Sequence, residues 1–141
     1  MDLDIRAEGA GVQAKAARAV ILLDTNALIW LLQRHRRARV LEKHPRLQMS
    51  PASLLELQLL VEAGRLAVPR GRTVAAVAQD PRWRLDEPPA GPWFEIACEL
   101  SWTRDPFDRL LVAHARLRGW KLATADSMLQ EHLAPRETLT L

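Results

Sequence analysis

Four carboxylates stand beside apolar runs in four separated parts of this 141-residue chain. Asp24 ends Val20-Ile21-Leu22-Leu23, and Glu56 lies inside Ser53-Leu54-Leu55-Glu56-Leu57. Asp108 follows Arg104-Asp105-Pro106-Phe107, and Asp126 follows Leu122-Ala123-Thr124-Ala125. A carboxylate in apolar surroundings is unfavourable unless its charge is offset. A divalent cation offsets it, and hard cations such as Mg²⁺ take oxygen ligands. Carboxylates gathered at one point therefore imply a metal site. Metal plus water implies cleavage of a phosphodiester.

The elements that must position these acids are legible as periodic segments. Val20–Leu23 reads as a buried strand, followed by a helix over Ala27–Gln33 that Asn26 is placed to cap. Leu47–Met49 reads as a second strand. Ser50-Pro51 opens a helix that runs to Ala63 and stops at Gly64. Thr73–Gln79 reads as a short helix, 86–92 as a Pro- and Gly-rich loop, Trp93–Leu100 and Pro106–Arg118 as helices. Gly119 closes the last of these. Lys121–Thr124 reads as a strand, Asp126–Gln130 as a short helix and Thr138–Leu141 as a final strand. Strands alternating with helices predict an α/β fold, a parallel central sheet with helices on both faces. Ligands of such sheets bind beyond the carboxyl ends of the strands. Asp24 and Asp126 both fall there.

Each acid has a plain structural reading beside the chemical one. Asp24 and Asp126 are both placed to cap the helix that follows them. Glu56 shares a helical stripe with Leu59, Leu60 and Ala63, where a charge needs a partner, although Gln58 and Glu62 give the same helix a solvated side. Asp105 precedes Pro106 and suits the N-cap of its helix. Asp108 lies one turn in, on a stripe with Val112, Ala115 and Gly119 that faces the interior. Phe107, Leu110, Leu111 and His114 form the neighbouring core stripe. Asp108 is thus the better ligand, and Asp105 the better cap or supporting group.

The chain as a whole is of ordinary globular composition, with 48% apolar and 26% charged residues, and its length fits one domain. Residues 1–19, rich in Ala and charge, read as an N-terminal extension that is helical or disordered, leaving 20–141 as the domain. Net charge is +3. Acids engaged by metal would leave the remaining surface more basic, which suits a polyanion. The single cysteine, Cys98, admits no intramolecular disulfide and fits a reducing compartment. Among Phe94, Ile96, Ala97 and Leu100 it reads as a buried small hydrophobe. No run of about 20 apolar residues is present, and the start Met1-Asp2-Leu3-Asp4 lacks the basic residues of a signal peptide. A soluble, cytoplasmic protein without a membrane partner is expected.

The order of these motifs resembles the PIN domain, and more narrowly the VapC-type ribonuclease toxins of bacterial toxin–antitoxin pairs. The resemblance is carried by Leu-Leu-Asp-Thr-Asn-Ala-Leu-Ile-Trp from Leu22, Ser-Pro-Ala-Ser-Leu-Leu-Glu-Leu from Ser50, Glu-Ala-Gly-Arg-Leu from Glu62, Arg-Asp-Pro-Phe-Asp-Arg-Leu-Leu-Val-Ala-His-Ala from Arg104 and Leu-Ala-Thr-Ala-Asp from Leu122. It covers about residues 20–141, and the segment from Arg104 together with Asp24-Thr25-Asn26 is its most specific part. The resemblance implies a three-layer α/β/α sandwich. It implies an endoribonuclease dependent on Mg²⁺ or Mn²⁺, a homodimer, and a cognate antitoxin that blocks the site. By position, Asp24, Glu56, Asp108 and Asp126 match the family's four acids, as catalytic residues and metal ligands. Asn26 and Thr124 match its supporting polar residues, and Asp105 matches a subset of the family. Two departures are the first 19 residues, which have no counterpart, and Ala125, where the family often has a polar or basic residue.

The chemistry so implied is attack on RNA phosphorus by a water whose pKa a metal has lowered. His35, His44, His114 and His132 show no metal-ligand spacing and read as core or surface groups. The basic cluster from Arg34 through Arg36 and Arg37 to Lys43 reads either as a solvated helix end or as a contact with the RNA backbone. Trp30, Trp83, Trp93, Trp102 and Trp120 read as core or interface anchors. Trp30 is placed for a dimer surface, and Trp83 would stack a base only if exposed. Two rivals remain. One is a PIN-like protein that binds RNA or antitoxin without cutting. The other is an aspartate-based phosphatase, which would want a second aspartate where this chain has Asn26.

Overall fold

The computed structural model describes residues 19–141. The expectation of a helical or disordered extension over residues 1–19 falls, save Ala19, outside the described residues. The described chain begins with β1 (Ile21–Leu23), α1 (Thr25–Leu32), a 3₁₀ segment (Arg36–Lys43), β2 (Leu47–Met49) and α2 (Pro51–Glu62). A second 3₁₀ segment (Val74–Gln79), β3 (Trp83–Leu85), α3 (Ala90–Glu99) and α4 (Pro106–Arg118) follow. The chain closes with β4 (Lys121–Thr124), α5 (Ser127–His132), a 3₁₀ turn (Pro135–Glu137) and β5 (Thr138–Thr140).

The five strands form one parallel sheet in the order β3-β2-β1-β4-β5. β1 is its centre, pairing Leu22 with Gln48 of β2 and with Leu122 of β4. Because β1 is flanked by two strands and covered on both faces, it is a continuous apolar run with no alternation. Ile21 and Leu23 pack toward α1, through Ala27, Leu28 and Leu31, and toward Leu57 of α2. Leu22 and Leu122 pack the other way, against Trp93 and Ala97 of α3, Leu111, Val112 and Ala115 of α4, and Leu129 of α5. The result is the expected three-layer α/β/α sandwich with a parallel sheet.

Several elements differ from the sequence reading, four of them for a plain local reason. α1 starts at Thr25 and its cap is Asp24, whose carboxylate accepts from Ala27 N–H at 2.7 Å; Asn26 lies inside the first turn. α3 begins at Ala90, so Pro92 sits in its first turn, where a missing N–H leaves no helical bond unmade. The segment expected as a helix over Thr73–Gln79 is 3₁₀. β3 carries no sequence signal, because Trp83-Arg84-Leu85 is a three-residue edge strand with an exposed Arg84 at its middle.

Two burial expectations also change. Cys98 is exposed, on the outer side of α3 with the half-exposed Phe94, because the buried stripe of that helix is Trp93, Ala97 and Leu100. Trp83 is buried and donates its indole N–H to the Val77 carbonyl at 2.9 Å, which removes it as a base-stacking surface. Among the described residues no helix is long and apolar enough to cross a membrane.

These placements separate a substitution in the core from one at the surface. Leu22→Ala empties the fully buried centre of β1 and is expected to lower unfolding free energy by about 3 to 5 kcal/mol. Cys98→Ser is expected to stay within about 0.5 kcal/mol of the parent. Urea denaturation followed by tryptophan fluorescence reads both. A large loss on Cys98→Ser would contradict its exposed position.

Candidate active site

The strand order reverses direction at β1, and the acids gather at the carboxyl ends of β1 and β4, where that reversal opens a crevice. Asp24 leaves β1 directly, with its N–H bonded to the Ala123 carbonyl of β4 at 3.1 Å. Asp126 follows β4 and caps α5, accepting from Leu129 N–H at 3.0 Å. Asp105 caps α4, accepting from the N–H groups of Phe107 and Asp108 at 2.8 and 3.2 Å. Capping and ligation are therefore not alternatives in this chain. For Asp24 and Asp126, Oδ1 takes the backbone N–H of the following helix, which fixes the rotamer and leaves Oδ2 to point elsewhere. The N-termini of α1 and α4, both at this end, add partial positive charge to an acidic region.

The burial of each acid sets its electrostatics. Asp24 is only 6% exposed. Burial pushes its carboxyl from 3.8 up to about 6, against hydrogen bonds from Thr124 and Ala27 and with repulsion from Glu56 and Asp126. Asp108 is pushed up to about 7, by burial and then by repulsion from Asp105, Asp126, Glu56 and Asp24. Glu56 is raised by burial and by Asp105, while a hydrogen bond from Thr25 opposes the rise. Asp108 thus lies in the fields of the other three predicted acids and of Asp105.

Their supports are hydroxyls. Thr124 donates to the Asp24 carboxylate and accepts from Asp126 N–H at 3.0 Å, so one side chain spaces the two acids that follow neighbouring strands. Thr25 and Ser53 are both buried and lie 3.0 Å apart, oxygen to oxygen. Thr25 Oγ1 donates to Ser53 Oγ; its one proton serves Glu56 only when the Ser53 hydroxyl turns to donate to Thr25 instead. Sequence reading missed this pair. Its only signal was a Thr and a Ser one residue and three residues from a candidate acid. Asn26, expected to support the site, is exposed on the first turn of α1.

Glu56 does not have the apolar surroundings that its helical position predicts. Its stripe is not apolar interior, because Leu59 is 46% exposed and Ala63 is also exposed. Glu56 is half-buried, beside Thr25 and within the field of Asp105. The stripe of Asp108 holds, with Val112 and Ala115 buried beneath it. His114 is fully buried, as its core stripe required, and its Nε2 lies 2.7 Å from Asp86 Oδ2.

Oxygen donors on converging elements, repelling one another, fit a hard divalent cation. Among the described residues, no three acidic, imidazole or thiol groups are close enough to hold a cation as they stand. The coupling among the acids is therefore through space, not through a closed shell of ligands. The basic cluster is elsewhere. α1 runs back from the acids, so Arg34, just past its last turn, stands away from them, in a pocket it shares with Arg39 and Arg82. Arg37 lies over the Trp30 ring at 4.7 Å and donates to the Leu141 carbonyl at 2.8 Å.

The raised carboxyls fix the sign of a pH effect. A group whose pKa is higher folded than unfolded stabilises fully below its unfolded value and loses that contribution as pH rises through the folded value. For Asp24, bearing charge at neutral pH costs the metal-free fold about 3 kcal/mol. Stability measured in EDTA is expected to fall between about pH 4 and pH 7, with Asp24→Asn flattening the fall. Asp80 and Asp86, both lowered by arginine partners, act with the opposite sign and are lost only below about pH 4. Urea midpoints across this range check it, and a profile that rises to neutrality would contradict the acid cluster.

Residues 21–133 match the PIN domain family model. The chain is 30% identical over 123 residues to Ribonuclease VapC22 of Mycobacterium tuberculosis (strain ATCC 25618 / H37Rv), spanning 82% of this chain and 94% of that protein. Among solved structures, a toxin-antitoxin complex from Klebsiella pneumoniae superposes with a TM-score of 0.63 at 22% identity, over 85% of this chain and 96% of that one. VapBC2 from Rickettsia felis, bound to a DNA fragment from its promoter, gives 0.60 at 18% identity, over 86% and 98%. These two likenesses concern the fold. With the family match and the VapC relative, the sheet order and the acid crevice lead to one conclusion: the chain belongs to the PIN domain family.

Proposed function

We propose that this protein is a VapC-type endoribonuclease, the toxin of a toxin–antitoxin pair, acting in the cytoplasm as a homodimer that a cognate antitoxin restrains. The observation that carries the reading is the raised Asp24 and Asp108 pair, held with Glu56 and Asp126 at the carboxyl edge of the sheet. Identity to a named ribonuclease over most of both chains supports the RNA substrate.

Asp24, Glu56, Asp108 and Asp126 would hold Mg²⁺ or Mn²⁺ in this reading. When bound, such a cation lowers the pKa of its water and offsets charge on the phosphoryl oxygens. The chain's own residues do the positioning. Asp24 is held by Ala27 N–H and Thr124, and Asp126 by Leu129 N–H. Thr25 orients Glu56. Asp105, whose oxygen is engaged at the start of α4, sets the local field of Asp108 without needing to touch the cation. No serine or cysteine nucleophile is required.

Cleavage of a labelled RNA panel with Mg²⁺, Mn²⁺ or EDTA tests the reading. Cutting is expected with either cation and not in EDTA. Asp24→Asn keeps the cap oxygen and removes the charge. It is expected to retain the fold while losing at least on the order of a hundredfold in rate. Parent-level cutting by Asp24→Asn would sink the assignment.

A metal-binding readout separates the enzyme from a silent relative. Saturating Mn²⁺ at pH 7.5 is expected to raise the Tm of the parent, because ligand bound to the native state alone stabilises it. The rise should be reduced in Asp108→Asn. A parent protein whose Tm is indifferent to Mn²⁺ would favour the reading of a binding protein without catalysis.

A further inference from the structure

At its end away from the acids, α1 terminates in a residue that the backbone disfavours. Arg34 has φ of +55°, and no other described residue except glycine has a positive φ. It occupies the position just past the helix, where glycine is the usual residue because a Cβ is strained there. Backbone need therefore does not account for an arginine at this place.

The side chain lines a pocket of about 430 Å³, bounded by Leu31, Arg34, His35, Arg39, Glu42 and Arg82. Three guanidinium groups face one carboxylate. Arg82 is partly engaged, by Asp80 at 2.7 Å and by the Leu31 carbonyl at 3.0 Å. Arg34 and Arg39 make no ion pair among the described residues, and Glu42 makes none with either. The negative end of α1 is also covered. Gln33, Arg34 and His35 N–H groups bond to the Ile29, Leu31 and Trp30 carbonyls at 2.9, 3.3 and 2.8 Å, and Arg82 adds to Leu31. What remains open is guanidinium donors without an acceptor.

We propose that this pocket is a second RNA-binding site, in which Arg34 and Arg39 take backbone phosphates of the strand whose scissile bond lies at the acid crevice. The assignment rests on the nuclease reading above. A planar guanidinium suits phosphate oxygens in a forked geometry. The eight residues of α1 separate the two sites by at least about 12 Å along the helix axis. A substrate must therefore extend over several nucleotides, or fold back, to reach both. RNA long enough to do so is the substrate class that this arrangement selects. Arg37, tied to Leu141 and Trp30, serves the fold rather than this pocket.

The test uses the full chain, a labelled RNA of about 30 nucleotides and a duplex DNA of equal length. Arg34→Gln with Arg39→Gln is expected to raise KM for the RNA on the order of tenfold and leave kcat unchanged. In EDTA, the slope of log Kd against log salt should shrink by about 1.4, two single-strand phosphates at about 0.7 each. Arg34→Gly guards against a purely structural effect. It relieves the positive φ, so it should raise Tm while still weakening RNA binding. Unchanged KM and salt slope in the double variant, with the parent cutting normally, would overturn the pocket assignment alone. A parent that cuts no RNA with either cation would overturn the nuclease reading and this one with it. Equal loss of affinity for the duplex DNA would replace the RNA site by a general polyanion surface.

Discussion

The repulsion among buried carboxylates at the carboxyl edge of the sheet is the constraint around which the other contacts make sense. Asp24 is almost sealed from water at the end of the central strand, and four further acids surround Asp108. Nothing in an apolar core favours that arrangement, since each burial penalises the charged form. The fold answers it with neutral dipoles. Backbone N–H groups at the starts of α1, α4 and α5, and the hydroxyls of Thr25 and Thr124, meet the acids without adding a compensating cation from the chain. Among the described residues, the lysine and arginine ion pairs go to Asp80, Asp86 and Glu137 and not to these four. Residual negative charge is thus left for something from outside, which for oxygen donors is a divalent metal.

Keeping those acids in register is a matter for the elements that carry them. α4 bears Asp108 near its start and is fastened at three points farther on. Arg109 donates to the Thr103 carbonyl at 2.8 Å, His114 meets Asp86, and Arg118 meets the same Asp86 at 2.9 Å. Burial pushes the Asp86 carboxyl up, but the hydrogen bonds of Arg118 and His114 outweigh that and hold it below its usual range. Asp86 follows β3, so this ion pair ties the helix to the far strand of the sheet. α2 is fastened through its own first turn, where Ser53 meets Thr25 of α1. Glu56 projects one turn further on. The supports are local and short, as a site accurate to fractions of an ångström requires.

β1 is legible in the sequence because, buried on both faces, it reads as an unbroken apolar run. β2 and β4 carry only short apolar pieces, Leu47 and Met49 about Gln48 and Leu122-Ala123, and are placed by the helix starts and stops beside them. β3 escapes because an edge strand of three residues with Arg84 at its middle has neither a run nor an alternation. The four acids were legible from type and placement, yet for Glu56 the stated reason fails, since Leu59 on its stripe faces solvent. What hid was pairing across distance. Thr25 and Ser53 are 28 positions apart, as are Asp86 and His114. Periodicity within one helix carries no information about which hydroxyl or carboxylate a neighbouring element will bring. Cys98 illustrates the same limit, because only a turn of about 100° about the helix axis, one residue's step, separates Ala97 from Cys98 as the buried residue.

The charge of the molecule is also ordered along the sheet. The candidate acids collect beyond the carboxyl ends of β1 and β4, while Arg34, Arg39 and Arg82 line a pocket at the far end of α1. A net charge of +3 conceals this polarity, since it sums two ends of opposite sign. For a polyanion approaching the metal-free protein, the acid end repels and the arginine end attracts. Screening over roughly 8 Å at physiological salt keeps the two ends electrically distinct. Encounter through the arginine end and capture of the scissile phosphate at the acid end are then separate events, and only the second depends on the cation. The strained backbone of Arg34 belongs to the first of them: a glycine there would make a better helix end and a poorer point of contact.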